Sequence, residues 1–135
     1  MAEETFLSPE LFADVYEPVS MKPGEYQLRI LNATLETQKK EPYGKYLSFA
    51  LEIPSEKKAK NIYHVMMFPT AKDDEKKANN RKRAMLNFFN AFGIDVSGGI
   101  NLQSCIGCTG WAILEEEDDP EYGTRNRLKK VVIPK

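Results

Sequence analysis

The sequence predicts a mainly β fold that contains one long helix. Several stretches of eight to fourteen residues alternate apolar and polar side chains, which is typical of half-buried strands. One basic stretch between residues 73 and 92 instead has its apolar side chains at helical spacing. With 135 residues, 41% of them hydrophobic, the chain is long enough to bury the core of one domain.

The chain is predicted to begin with an arm, residues 1–23, ahead of the first strand. Pro9, Pro18 and Pro23 interrupt this arm, and Ser8 stands where a cap of a short helical turn belongs. We expect the apolar side chains of the arm to pack on the folded body. They are Phe6, Leu7, Leu11, Phe12, Val15 and Tyr16.

The first strand is predicted over residues 25–38, after the Pro23-Gly24 turn. Its apolar residues occupy even positions as far as Ile30 and odd positions from Leu31 to Leu35. A change of parity inside one strand indicates a bulge or a sharp bend. A strand bent in this way can belong to both sides of a small barrel.

Two more strands follow before the helix. In residues 46–53 every second side chain, from Leu47 to Ile53, is apolar, and a polar turn over 54–60 separates this strand from a third over 61–68. The helix is predicted over 73–92, with Thr70 or Asp73 as its N-cap. Gly93 is predicted to end it.

The last two strands are predicted over residues 108–115 and 125–133, joined by an acidic loop over 115–121. Three strands, one helix and two strands is the element order of the OB-fold, a five-stranded Greek-key barrel. We therefore predict an OB-fold domain over residues 24–135 behind an acidic N-terminal arm over 1–23. An α+β sheet with the helix on one face is the alternative.

Charge is distributed unevenly along the chain. The net charge is −1, but residues 1–21 contain five acidic residues and no basic one. Residues 115–121 hold six more acids, and without these two stretches the remaining chain has a net charge of +10. A basic body is therefore concealed by two acidic segments, and basic surface is what binding of a phosphate backbone requires.

The residue inventory argues against an enzyme. The sequence has no glycine-rich phosphate loop with a following lysine, and its one histidine, His64, is predicted in the middle of a strand. Cys105 and Cys108 form a lone CxxC without two further zinc ligands, so buried cysteines are expected. We expect no catalytic residue, cofactor or metal. With no signal-peptide or membrane-span pattern, we expect a cytoplasmic protein.

Basic residues and tyrosines occur together in the predicted turns. In an OB-fold, the loops between strands one and two and between strands four and five flank a binding face made by strands two and three. Aromatic rings there can stack on bases, while basic groups contact phosphates. The predicted nucleic-acid-binding residues are Lys39, Lys40, Tyr43, Lys45, Tyr46, Tyr63, Tyr122, Arg125, Arg127 and Lys129.

Seven stretches of the chain carry a resemblance to a known family. They are Tyr16–Val19, Pro23–Tyr26, Arg29-Ile30, Gly44–Leu47, the Phe92-Gly93 helix end, Ile106–Leu114 and Glu121–Lys129. In this order along the chain, they resemble the small OB-fold single-stranded-DNA-binding proteins of bacteriophage replication and recombination modules. The resemblance implies an OB-fold and sequence-tolerant binding of single-stranded DNA, with Lys45, Tyr46 and the hairpin over 122–129 lining the surface. In contrast to many such proteins, the sequence carries its acidic segment at the N-terminus and not in a C-terminal tail.

The predicted function is protection or organisation of single-stranded DNA during phage replication or recombination. We expect single-stranded DNA as the partner, with RNA as the alternative, and replication or recombination proteins as further partners. No membrane is expected, the protein would be a monomer or homodimer, and a phage-encoded chain would act in the host cytoplasm. The alternative is a protein-interaction or virion-associated β-barrel module that binds no nucleic acid.

Overall fold

The structure is a computed structural model that describes residues 5–40 and 44–134. Its five strands form one antiparallel sheet in the order β3-β2-β1-β4-β5, with the main helix between β3 and β4, so the predicted OB-type architecture is confirmed. The elements are a 3-10 turn Pro9–Phe12, β1 Gly24–Thr37, β2 Lys45–Glu52, β3 Ile62–Met67, α1 Glu75–Ala91, α2 Leu102–Cys105, β4 Thr109–Asp119 and β5 Gly123–Val131.

The central strand β1 is shared by both halves of the barrel. Its residues 24–29 pair with β4, and its residues 29–37 pair with β2. The register shifts between Ile30 and Asn32, which confirms the bulge predicted from the change of parity. The bend brings the two outer strands, β3 and β5, into contact without a ladder of backbone hydrogen bonds. We call this contact the β3–β5 seam.

The core lies inside the curled sheet and under α1. The alternating apolar residues of β2 are buried as predicted, and the ring of Phe49 lies 4.6 Å from that of Phe88 on α1. Burial of one such side chain contributes about 1.5–3 kcal/mol. Gly110 of β4 allows the helix end to approach, since a Cβ atom there would lie 2.5 Å from the carbonyl oxygen of Ala91.

The start of α1 corrects one prediction. Asp74 is the N-cap, and its carboxylate accepts the backbone N–H of Lys77 at 2.7 Å. Asp73 instead accepts the N–H of Thr70 at 2.9 Å and pairs with Arg81 at 3.2 Å. The carboxylate of Asp73 therefore closes the turn before the helix, so neither predicted residue caps α1. The short α2 was also not predicted.

The acidic stretch is mainly strand, so the prediction of a loop there is wrong. Residues 115–119 continue β4 and pair with β5, and the chain reverses only over 120–122. Carboxylate side chains are ordinarily unfavourable in strands. Here opposite charges across the ladder offset that preference, because Glu115 lies opposite Arg127 and Glu117 opposite Arg125.

The arm is attached to the barrel differently from the prediction. Phe6, Leu7 and Phe12 are 77%, 67% and 55% exposed, so they do not pack on the body. The Ser8-capped turn is present as predicted, but the arm is held by backbone bonds around Val19, which forms a parallel bridge with Ala59. The arm runs past the polar turn between β2 and β3, which offers its apolar side chains no apolar surface.

None of the helices in the described ranges has the length and the apolar character needed to cross a membrane.

Candidate nucleic-acid interface

A cavity of about 490 Å³ opens in the β3–β5 seam. Because no backbone ladder joins the two strands there, side chains from both strands line the opening. Tyr63 and Val65 come from β3, and Arg125 and Arg127 come from β5. The structure thus brings together three of the predicted residues, because Tyr63 lies beside Arg125 and Arg127 although it precedes them by about 60 positions in the sequence.

The strand β3 presents an exposed face to this cavity. Ile62 and Met66 are buried, whereas Tyr63 is 67% and Val65 50% exposed. The sequence could not decide which face of β3 is exposed, because apolar residues occupy both faces. The structure shows that the face with Tyr63 and Val65 is the exposed one. The phenol ring of Tyr63 is accessible for stacking on a base.

Both arginines of the seam already have carboxylate partners. Arg125 donates to Glu117 at 2.9 Å and lies 3.4 Å from Asp119. Arg127 lies 3.5 Å from Glu117 and 3.6 Å from Glu115. This charge ladder was not predicted, because the register of β4 against β5 decides which carboxylate faces each arginine. A bound phosphate must compete with the carboxylates for the guanidinium groups.

A second depression, of about 660 Å³, lies beside the seam at the turn between β1 and β2. It is lined by Lys39 and Lys40, by the half-buried Tyr46 and by Met67. Val65 lines this depression as well as the seam cavity, so the two openings adjoin. Neither lysine has an ion pair within the described residues.

We call the combined lining of these two openings the β3 surface. It offers aromatic rings near its middle, lysines at one end and carboxylate-paired arginines at the other. Its defining residues are Lys39, Lys40, Tyr46, Tyr63, Val65, Met67, Arg125 and Arg127. Val65 and Met67 were not predicted as part of this surface. They follow Tyr63 by two and four positions along β3, and this alternation would have placed them on the same face of the strand.

Three other predicted residues, Lys45, Tyr122 and Lys129, do not line this surface. Lys129 is exposed on β5 and lines a third depression, which shares His64 and Leu128 with the seam cavity. Tyr122 is 64% exposed at the tip of the β4–β5 turn. Lys45 is exposed at the start of β2, on the side of the buried Leu47 and not on that of Tyr46. Tyr43 lies outside the described residues.

The ammonium group of Lys60, ahead of β3, holds the β4–β5 turn in place. It donates to the backbone carbonyls of Thr124 at 2.6 Å and Tyr122 at 3.4 Å. Within the turn, Asp119 accepts the N–H groups of Glu121 and Tyr122. These backbone bonds, and secondarily Arg125, lower the pKa of the Asp119 carboxyl. The carboxylate is therefore a structural part of the turn beside the arginines.

His64 lies on the inner side of β3, with its ring stacked on Phe88 at 5.5 Å between centroids. Burial lowers the pKa of His64, and the positive charge of Arg127 lowers it further. A neutral imidazole is thereby favoured in the wall of the seam. This position is consistent with the structural role predicted for His64.

The two cysteines lie at the end of α2 and ahead of β4. The burial expected for both is confirmed for Cys105 only, because Cys108 is half-buried. Cys105 is buried, and burial, followed by the neighbouring Cys108, raises the pKa of its thiol. A raised pKa disfavours the reactive thiolate. Among the residues that the structure describes, no group of three or more His, Cys, Asp or Glu side chains is arranged to hold a metal ion.

No protein-family model matches this chain, and the search of curated proteins finds no match either.

Proposed function

We propose that the protein binds single-stranded DNA along the β3 surface with little base preference. The observation that carries this proposal is the position of Val65, which lines both openings and so joins them into one surface. Tyr46 and Tyr63 lie along this surface, with basic residues at both of its ends. Alternating stacking and phosphate contacts are what a sequence-tolerant single-strand binder requires.

Base stacking on the two tyrosines would supply the part of the affinity that is insensitive to salt. Each stacked base contributes about 1–3 kcal/mol, and every base has a face that can stack. Lys39 and Lys40 would neutralise phosphates directly. Release of counterions from the neutralised phosphates then makes the affinity fall with rising salt.

The arginine end of the surface would contribute less than its charge suggests. Arg125 and Arg127 form ion pairs with three carboxylates, those of Glu115, Glu117 and Asp119. The hairpin face therefore has more carboxylates than guanidinium groups. A phosphate must displace carboxylate contacts and tolerate the remaining negative charge. We therefore propose an affinity that is modest and strongly salt-sensitive.

In cellular terms, we propose protection or organisation of single-stranded DNA during phage replication or recombination. This assignment is supported by the OB-type architecture, by the β3 surface and by the resemblance in sequence to phage single-strand-binding proteins. RNA is the alternative ligand, and parallel titrations with oligo-dT and oligo-U distinguish the two.

Titration of fluorescently labelled oligo-dT at low and moderate salt tests the proposal. Lys39→Ala combined with Lys40→Ala is expected to weaken binding about tenfold at low salt and to reduce the salt slope by about 1.4, or about 0.7 for each phosphate contact that is lost. The matched control is Lys72→Ala with Lys76→Ala, two exposed lysines away from the β3 surface. Failure of the parent protein to bind, or equal effects of both double variants, would contradict it.

An apolar groove and an exposed apolar arm favour a protein-interaction role in addition to DNA binding.

A further inference from the structure

An apolar groove of about 370 Å³ lies between α1 and the ends of β1 and β2. Its floor includes the buried side chains of Leu47 and Phe89. Leu35, Leu86 and Ile100 form its edges and are 49%, 43% and 36% exposed. Aliphatic side chains exposed together in a concave site are characteristic of surfaces that bind a partner.

The arm carries a matching apolar segment. Phe6, Leu7, Leu11 and Phe12 are all more than half exposed around the 3-10 turn Pro9–Phe12. Ser8 caps this turn by accepting the N–H of Glu10, and Pro9 restricts its backbone. A segment that is already folded loses less conformational entropy when it binds.

We propose that this groove binds the apolar arm segment, residues 6–12, of a second copy of the chain. The arm and the groove are two unpartnered apolar surfaces of one molecule, and they are held apart. The arm is bonded to the barrel near Ala59, in the turn between β2 and β3, whereas the groove includes Leu47 near the start of β2. Leu47 precedes Glu52, the last residue of β2, by five positions, which is a distance of about 17 Å along the strand.

Charge complementarity supports the same occupant. Residues 1–21 carry a net charge of −5. Lys82 precedes Leu86 by one helical turn, and Lys45 precedes Leu47 by two residues, so both lysines stand beside the groove. Asp95 is the acidic neighbour, and its carboxylate accepts the N–H of Ser97. An acidic segment is therefore a better occupant than a basic one.

The contact would be head to tail. One copy donates its arm and receives the arm of another, so each added copy leaves one arm and one groove available. Such a contact extends into a row of molecules unless it closes into a ring. Copies assembled in this way would bind a single strand cooperatively. This consequence depends on the proposed function, but the self-association itself does not.

Sedimentation velocity across the micromolar range, without DNA, tests the contact. The parent chain is expected to associate with rising concentration. Leu86→Glu in the groove, and Phe6→Ser with Phe12→Ser in the arm, should each weaken association at least tenfold. Ile106→Glu is the matched control, because Ile106 is 42% exposed and lies outside the groove. This variant should associate like the parent.

Mixing the two defective variants provides a sharper test. The groove variant retains an arm and the arm variant retains a groove, so an equimolar mixture is expected to form a dimer and nothing larger. A parent chain that stays monomeric, variants that associate like the parent, or a mixture that fails to form the dimer would each overturn the proposal. A monomeric parent whose arm resists proteolysis would identify its own groove as the occupant.

The two proposals fail separately. A short oligo-dT that accommodates one copy measures binding to the β3 surface independently of assembly. The arm variant is expected to bind this short strand like the parent, because residues 6–12 lie outside the β3 surface. A parent chain that binds the short strand but does not self-associate would refute only the arm contact. A parent chain that self-associates but does not bind the short strand would refute only the proposed function.

Discussion

The side-chain amide of Asn126 forms two reciprocal hydrogen bonds with the backbone of Met21. The N–H of Met21 donates to Asn126 Oδ1 at 2.7 Å, and Asn126 Nδ2 donates to the carbonyl oxygen of Met21 at 2.8 Å. Asn126 is the buried polar side chain of β5 and is only 5% exposed. This pair joins the arm to β5, next to the seam cavity that Asn126 also lines.

Replacement of Asn126 by Ala is expected to lower the free energy of unfolding by about 1–3 kcal/mol, since both backbone groups of Met21 lose their partner. Urea denaturation measures the change at constant m-value. Asn79→Ala, at an exposed position of α1, is the control and should stay within about 0.5 kcal/mol of the parent. Equal stability of both variants would show that water replaces the amide without cost.

Two truncations of the arm should behave differently. Removal of residues 1–15 leaves Val19 and Met21 attached to the barrel and is expected to change stability by no more than about 0.5 kcal/mol. Removal of residues 1–21 also takes away the partner of Asn126, and it should cost at least as much as Asn126→Ala. Urea midpoints of the two truncated chains test this, and coincident midpoints would contradict it.

Replacement of Glu117 by Gln is expected to strengthen binding of oligo-dT by about three- to tenfold, or roughly 0.7–1.4 kcal/mol. The carboxylate of Glu117 contacts both Arg125 and Arg127, so its neutralisation removes one of the two carboxylates that compete with phosphate for each guanidinium group. The gain should shrink at higher salt because the interaction is electrostatic. Glu56→Gln, in the β2–β3 turn, controls for the loss of one negative charge. An equal gain in both variants would refute the specific role of Glu117.

Replacement of Tyr63 by Ala should weaken binding of oligo-dT by about 1–3 kcal/mol with an unchanged salt slope, because a stacked base is lost and no charge is removed. Tyr63→Phe retains the ring and should bind like the parent. Trp111→Ala removes an aromatic side chain of β4 that is 48% exposed outside the β3 surface. A loss of affinity in this control as large as in Tyr63→Ala would argue against stacking at the seam.

Stability is expected to depend on pH through His64. Burial, and then Arg127, holds the pKa of His64 below its ordinary value of about 6.5, so the unfolded chain binds more protons between the two values. The contribution of neutral His64 is fully present above about pH 6.5 and is lost as the pH falls through the folded pKa. Urea denaturation between about pH 7.5 and 5.5 should show this slope in the parent and a flatter one in His64→Gln. Identical slopes would contradict it.

Four features could be predicted from the sequence alone: the element order, the inner face of β2, the bulge of β1 and the helix. These features are encoded locally, because the spacing of apolar residues reports which side of a strand or helix is buried. The change from even to odd positions at Ile30 and Leu31 was sufficient to locate the bulge. The residue types also indicated a basic and aromatic surface at the predicted turns.

Which of these residues come together depends on the tertiary fold. Tyr63 and Arg125 line one cavity because β1 bends, and Arg125 pairs with Glu117 because of the β4–β5 register, which no local pattern reveals. The arm was misjudged for the same reason. Apolar composition predicts burial, but the backbone bonds of Val19 place Phe6 and Phe12 where the barrel has no apolar surface to cover them. Contacts between distant residues depend on register and strand curvature, and those are properties of the assembled sheet.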